Sequence, residues 1–177
     1  MSNKSRSKGV FARPRGIPGP SATEPWAILY FKRHRSDDPE ETRPGRVYLN
    51  GLPPRIRAQL IAVIKAVADA PPPAHSGGGK WEVMKGDMAG YYQIKADGFE
   101  NVRRLHYRLF CLLERQTAAN RLPGSSLIIL GGLTKPYLTV FTAADYARNR
   151  ALGDEYLSRP VRGAVAAPGA GSPGING

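Results

Sequence analysis

The run RRLHYRLFCLLE, Arg103 to Glu114, constrains this chain more than any other stretch. It alternates in twos, the period of an extended strand with one face against a core. Leu105, Tyr107, Leu109, Cys111 and Leu113 fall on one side. Arg104, His106 and Arg108 fall on the other, setting two guanidiniums and an imidazole in a row on a rigid surface. Such a row suits a phosphate backbone.

Around this strand the pattern is mixed. Trp26 to Phe31 (WAILYF) predicts a short strand, and SDDPEETRPG a proline-broken loop. Val47, Tyr48, Leu49 and Leu52 predict a short turn of helix. Pro53 and Pro54 open a longer helix, where a missing N–H costs little. Its apolar positions Ile56, Leu60, Val63, Ile64 and Val67 recur at helical spacing. PPPAHSGGG, Pro71 to Gly79, predicts a mobile connection. Trp81 to Met84 and Tyr91 to Ala96 predict strands, Tyr92 and Ile94 sharing one face of the second and Gln93 and Lys95 the other. Asp97-Gly98 predicts the turn before the long strand. LIIL, Leu127 to Leu130, is apolar throughout, as in a central strand, and GGLTKP ends it. Thr142, with Asp145 three residues on, predicts the cap of a last helix reaching about Leu157. The order is that of an α+β fold: a small, mainly antiparallel twisted sheet with helices packed mainly on one side, flanked by flexible tails.

Three regions follow. Residues 1–23 hold Lys4, Arg6, Lys8, Arg13 and Arg15, no acid, and several Pro and Gly, which predicts a disordered basic arm. That arm either adds phosphate contacts or is a solvated tail. Residues 24–159 form the folded unit, and residues 160–177, rich in Gly, Pro and Ala, a disordered tail. The chain carries 26 Lys+Arg against 14 Asp+Glu, a formal charge of +12. This favours a polyanionic partner, unless the tails alone make the protein basic. The single cysteine, Cys111, excludes an intramolecular disulfide and fits a core thiol in a reducing cytoplasm. No apolar run is long enough to span a membrane, the N-terminus lacks the apolar centre of a secretory signal, and no zinc spacing is present.

Four stretches in order carry a family resemblance: the helix GLPPRIRAQLIAVI, the segment WEVMKGDMAGYYQIKA, the strand RRLHYRLFCLL, and LIILGGLTKP followed by DYARNRALGDEYL. Together they resemble the RelE/HigB-type toxins of bacterial and phage toxin–antitoxin systems, in the phage-derived HigB-like branch of the RelE/ParE superfamily, over most of residues 25 to 159. The resemblance implies a RelE-like domain. It implies ribosome-dependent mRNA cleavage that inhibits translation, a cognate antitoxin of helix-turn-helix type, a cytoplasmic setting and no cofactor. Relatives in the superfamily poison DNA gyrase instead. A non-enzymatic binder, whether gyrase poison or phage protein bound to nucleic acid or a host factor, is the alternative.

Metal-independent RNA cleavage needs a base for the attacking 2′-hydroxyl, positive charge at the phosphorane and an acid for the 5′-oxygen. Arg104 matches the arginine of the family's Arg-x-x-Tyr strand, which assigns it to the scissile phosphate. Lys95 matches the basic residue of the preceding strand, and Lys135 the first basic residue after the apolar strand. His106 is the candidate base, although the resemblance fixes no histidine there. Arg108, Gln93, Arg148 and Arg150 are candidate RNA contacts. Arg104, Lys95, Arg148 and Arg150 have an ordinary alternative as solvated surface groups, and His106 as a group stacked on a base or hydrogen-bonded within the sheet. The largest departure from the family follows Lys135, where Pro136 replaces the second basic residue and Tyr137 is left as a stacking group or acid.

Overall fold

A computed structural model describes residues 25–70 and 79–167. The expected basic arm, most of the PPPAHSGGG connection and the last ten residues of the expected tail lie outside the described residues.

The elements run β1 (Ala27–Phe31), α1 (Pro44–Asn50), α2 (Pro54–Asp69), β2 (Trp81–Val83), β3 (Tyr92–Glu100), β4 (Arg103–Glu114), β5 (Ser126–Pro136), α3 (Ala143–Ser158) and β6 (Ala164–Ala166). They form a six-stranded sheet in the order β2-β3-β4-β5-β1-β6. Every pairing is antiparallel except β1 with β5. The coarse expectation, α+β with a mostly antiparallel sheet, is what the chain adopts.

Both faces of the sheet are covered, which departs from helices mainly on one side. α1 and α2 cover the first face: Ile56, Leu60, Ile64 and Val67 of α2 pack on Ile94, Tyr107, Leu109, Cys111 and Ile129. On the second face, Leu152 and Tyr156 of α3 pack with Phe110, Leu112, Ile128 and Leu130. This explains the composition of β4. Its first part alternates, while from Tyr107 onward every residue is buried. Phe110 and Leu112 replace the polar residues of the second face where α3 lies above it. Each such side chain, when fully buried, contributes roughly 1.5–3 kcal/mol. Cys111 is completely buried, and desolvation pushes its thiol pKa up.

The β3–β4 turn lies further on than the sequence suggested. β3 continues to Glu100, which pairs with Arg103, and Asn101 supplies the left-handed residue of the turn (φ 54°). Asp97 and Gly98 are therefore strand residues. The glycine serves close packing, since a Cβ there would stand 2.3 Å from Ile56 Cδ1. β5 likewise runs through GGLTKP to Pro136. Ala164–Ala166, expected in the tail, adds an edge strand to β1.

A buried polar knot ties the second face together. Glu114, at the end of β4, accepts hydrogen bonds from Tyr156 Oη (2.5 Å), Arg162 Nε (2.8 Å) and Asn120 Nδ2 (3.3 Å). Desolvation, followed by this bond to the Glu114 carboxylate, raises the Tyr156 phenol pKa. Removing one partner of a buried ion pair leaves the other charged and unpaired. Glu114→Ala is expected to lower the unfolding free energy by about 3–5 kcal/mol in chemical denaturation. A loss of no more than a surface substitution causes would contradict this role.

Candidate functional site

The register of three strands builds the site. Lys95 pairs with Arg108, and Arg108 with Leu133; in the next row Asp97 pairs with His106, and His106 with Lys135. Phe99 pairs with Arg104. Residues directly opposite one another share a face. Lys95, Arg104, His106 and Lys135, far apart in number, therefore stand together on the second face of the sheet, beyond the N-terminal end of α3. Arg104 is exposed, Lys95 and Lys135 half-buried.

At the centre His106 Nδ1 lies 2.7 Å from Asp97 Oδ1. Arg108 Nη2 also approaches Nδ1, at 3.2 Å, but a ring nitrogen that carries the proton cannot accept another. The shorter contact to a carboxylate fixes the assignment: Nδ1–H donates to Asp97, leaving the Nε2 lone pair as an acceptor. No hydrogen bond occupies Nε2 among the described residues. Partial burial raises the Asp97 pKa, but hydrogen bonds from His106 and Arg108 outweigh it and hold the carboxyl below its ordinary value.

Aromatic rings enclose the imidazole. The rings of Tyr137 and Phe141 lie with centroids 4.7 and 5.7 Å from it. Arg104 stacks its guanidinium 3.6 Å above the Tyr137 ring, a cation–π contact that holds the fork at the rim. The segment carrying these rings is pinned at both ends. Tyr137 N–H donates to Arg104 O, and Lys135 Nζ donates to Val140 O and to Asp145 Oδ2. Asp145 also closes the Thr142 capping box of α3, so one carboxylate fixes the helix start and a site lysine.

The remaining candidates fall in three places. Gln93 and Lys95 both donate to Glu82 Oε2, each at 2.9 Å. Arg108 is buried and donates to Ala96 O, Tyr107 O and Asp97, so it orients the dyad from inside the sheet. Arg148 and Arg150 lie on α3 away from this group: Arg148 lines a cleft beside α1, and Arg150 faces Asp87 at 3.6 Å.

Sequence reasoning missed the acids. Glu82, Asp97 and Asp145 balance three of the four permanent cations on this face. Asp97 escaped because Asp-Gly mimics a hairpin turn. Only the register, set by the turn at Asn101, places it opposite His106. Among the described residues no group of three His, Cys, Asp or Glu could hold a metal ion, and no helix is long and apolar enough to cross a membrane. No family model, curated protein or solved structure matches the chain.

The acids make a pH prediction. Asp97 sits below its ordinary 3.8; Asp145 is lowered chiefly by the hydrogen bond from Lys135, and Glu82, ordinarily 4.5, by that from Lys95. A carboxyl with a depressed folded pKa contributes stability above its unfolded value and loses it as pH falls through the folded one. Tm should therefore drop as pH falls from 4.5 through 3.8 and below. The drop should be shallower in Asp97→Asn, as followed by thermal melts; an unchanged acid slope in that variant would remove Asp97 from the balance.

Proposed function

We propose that this face cleaves RNA without a metal and that the protein is the toxin of a toxin–antitoxin system, an endoribonuclease that inhibits translation by cutting ribosome-bound mRNA. The observation that carries the reading is the Asp97–His106 pair, its Nε2 unoccupied, with Arg104 at the rim and Lys135 next to the imidazole across the strand pair.

Each group has a role. His106 Nε2 takes the proton of the 2′-hydroxyl as the 2′-oxygen bonds to phosphorus. Asp97 holds the tautomer and stabilises the imidazolium that forms. The Arg104 fork neutralises the phosphorane oxygens. The bond to the 5′-oxygen breaks, and that oxygen takes a proton from Lys135. The products are a 2′,3′-cyclic phosphate and a 5′-hydroxyl. Lys95 adds positive charge on the neighbouring strand. The partners implied are the ribosome with its mRNA and a neutralising antitoxin in the same cytoplasm.

A second reading has its own support. The acids leave the face only weakly positive. Phe99, Val102, Leu138 and Val140 are exposed apolar side chains at the end of β3, in the β3–β4 turn and on the segment after β5. An apolar rim of this kind suits a protein partner, which fits a non-enzymatic binder such as a gyrase poison.

In an in-cell translation assay His106→Ala should reduce mRNA cleavage by about 10²–10⁴-fold, the range for a lost general base. Asp97→Asn should reduce it by less. Full toxicity in the Arg104→Ala, Lys95→Ala double variant would defeat the mechanism. DNA synthesis stopping before protein synthesis would favour the binder.

A further inference from the structure

β5 outruns its neighbour. Its parallel pairing with β1 extends only from Ala27↔Ser126 to Tyr30↔Ile129, whereas β5 continues to Pro136. From Gly131 onward that side of β5 has no strand beside it among the described residues. Because Tyr137 N–H donates to Arg104 O, the antiparallel alternation turns Gly132 and Thr134 away from β4. Their backbone groups face the open side.

At Gly131 and Gly132 that side is a cleft of about 620 Å³ between α1 and α3, and Thr134 lies beyond its lining. Pro44, Val47 and Tyr48 form one wall; Arg148, Asn149 and Leu152 form the other. The two glycines let the walls close in: a Cβ on Gly132 would stand 2.0 Å from the Tyr48 ring, and one on Gly131 2.5 Å from Asn149 Oδ1. Asn149 is 2% exposed, and its Oδ1 has no hydrogen-bond partner among the described residues. Its Nδ2 reaches Gly132 O only at 3.5 Å. Val47 is exposed. Of the two arginines lining the cleft, Arg33 is bound to Glu155 at 2.8 Å, while Arg148 is exposed and makes no ion pair among the described residues.

We propose that this cleft takes an extended segment of a partner protein, which adds as a strand to the open side of β5 and presents an acidic side chain to Arg148. The backbone groups of Gly132 and Thr134 supply the ladder, Val47 and Leu152 the apolar contacts, and Arg148 the choice of charge. The partner is a different chain: residues 1–24 and 168–177 hold one acid, Glu24, and it stands three residues before Ala27, which pairs with Ser126, six residues along β5 from Gly132 and too far for that segment to lie beside it. The other open edges, β2 and β6, are three residues each, too short to template a strand well. This inference does not depend on the nuclease reading.

The test uses the full chain and a display library of random eight-residue peptides. Enriched peptides are synthesised, and amide hydrogen exchange is followed with and without them. Enrichment of Asp or Glu is expected, with new protection at Gly132 and Thr134. Thr134→Pro, which removes an outward N–H, should abolish binding. Arg148→Glu, an exposed change that leaves the ladder intact, should weaken it by about three- to tenfold. Failure to enrich any peptide, selection of acid-free peptides, or protection at other amides would overturn the proposal. So would Gly132 and Thr134 amides already protected in the free chain. Protection independent of concentration would mark the chain's own tail as the occupant; protection that depends on it would mark a second copy.

Discussion

The change in burial along β4 governs both the packing and the site. From Phe110 to Glu114 the strand is sandwiched, with α2 on one side and α3 on the other. From Arg104 to Arg108 only the α2 side is covered by a helix, and the second face is left to charged groups and aromatic rings. The boundary is where α3 begins. Asp145 stands at that boundary, capping the helix while holding Lys135. Shortening α3 or shifting its start would therefore disturb the charged face and the second core together.

Two kinds of ion pair serve different ends here. The Glu114–Arg162 pair has side chains 4% and 12% exposed and is fenced by Tyr156 and Asn120. Its desolvation has already been met by several hydrogen bonds, so it holds one geometry. The Lys95–Glu82 pair is 29% and 49% exposed. Pairs of that kind contribute about 0–1 kcal/mol, little enough for an incoming phosphate to displace the carboxylate. The balance of charge on the face is thus compatible with anion binding, provided the anion supplies more than the acids it replaces. Asp97 differs again, since hydrogen bonds from His106 and Arg108 tie it into the sheet.

Much of the architecture was legible because burial imposes periodicity. β4 showed its alternation, α2 its apolar stripe, and α3 its capping box. The polar faces of β3 and β4, with Lys95 on one and Arg104 and His106 on the other, also followed, since strand parity assigns a face once the strands are recognised; Lys135, expected in a loop, joins them because β5 runs on to Pro136. What local pattern could not supply was register. Asp97-Gly98 satisfies the rules for a tight turn, yet the chain turns at Asn101, because Gly98 is needed as strand backbone beneath Ile56. That shift carries Asp97 beside His106. β6 was hidden for a related reason: Ala164–Ala166 has the composition of a tail and becomes a strand only because β1 offers an edge. The second core was hidden too, since residues of α3 such as Asn149 and Gly153 do not read as a buried stripe.

Cys111 lies at the midpoint of all this, wholly enclosed in the strand that every layer leans on. With no other thiol in the chain, its reaction with an alkylating reagent can occur only in molecules whose central sheet has come apart. The protein thus carries a built-in chemical clock for opening of its core, one that local fraying at either end leaves untouched.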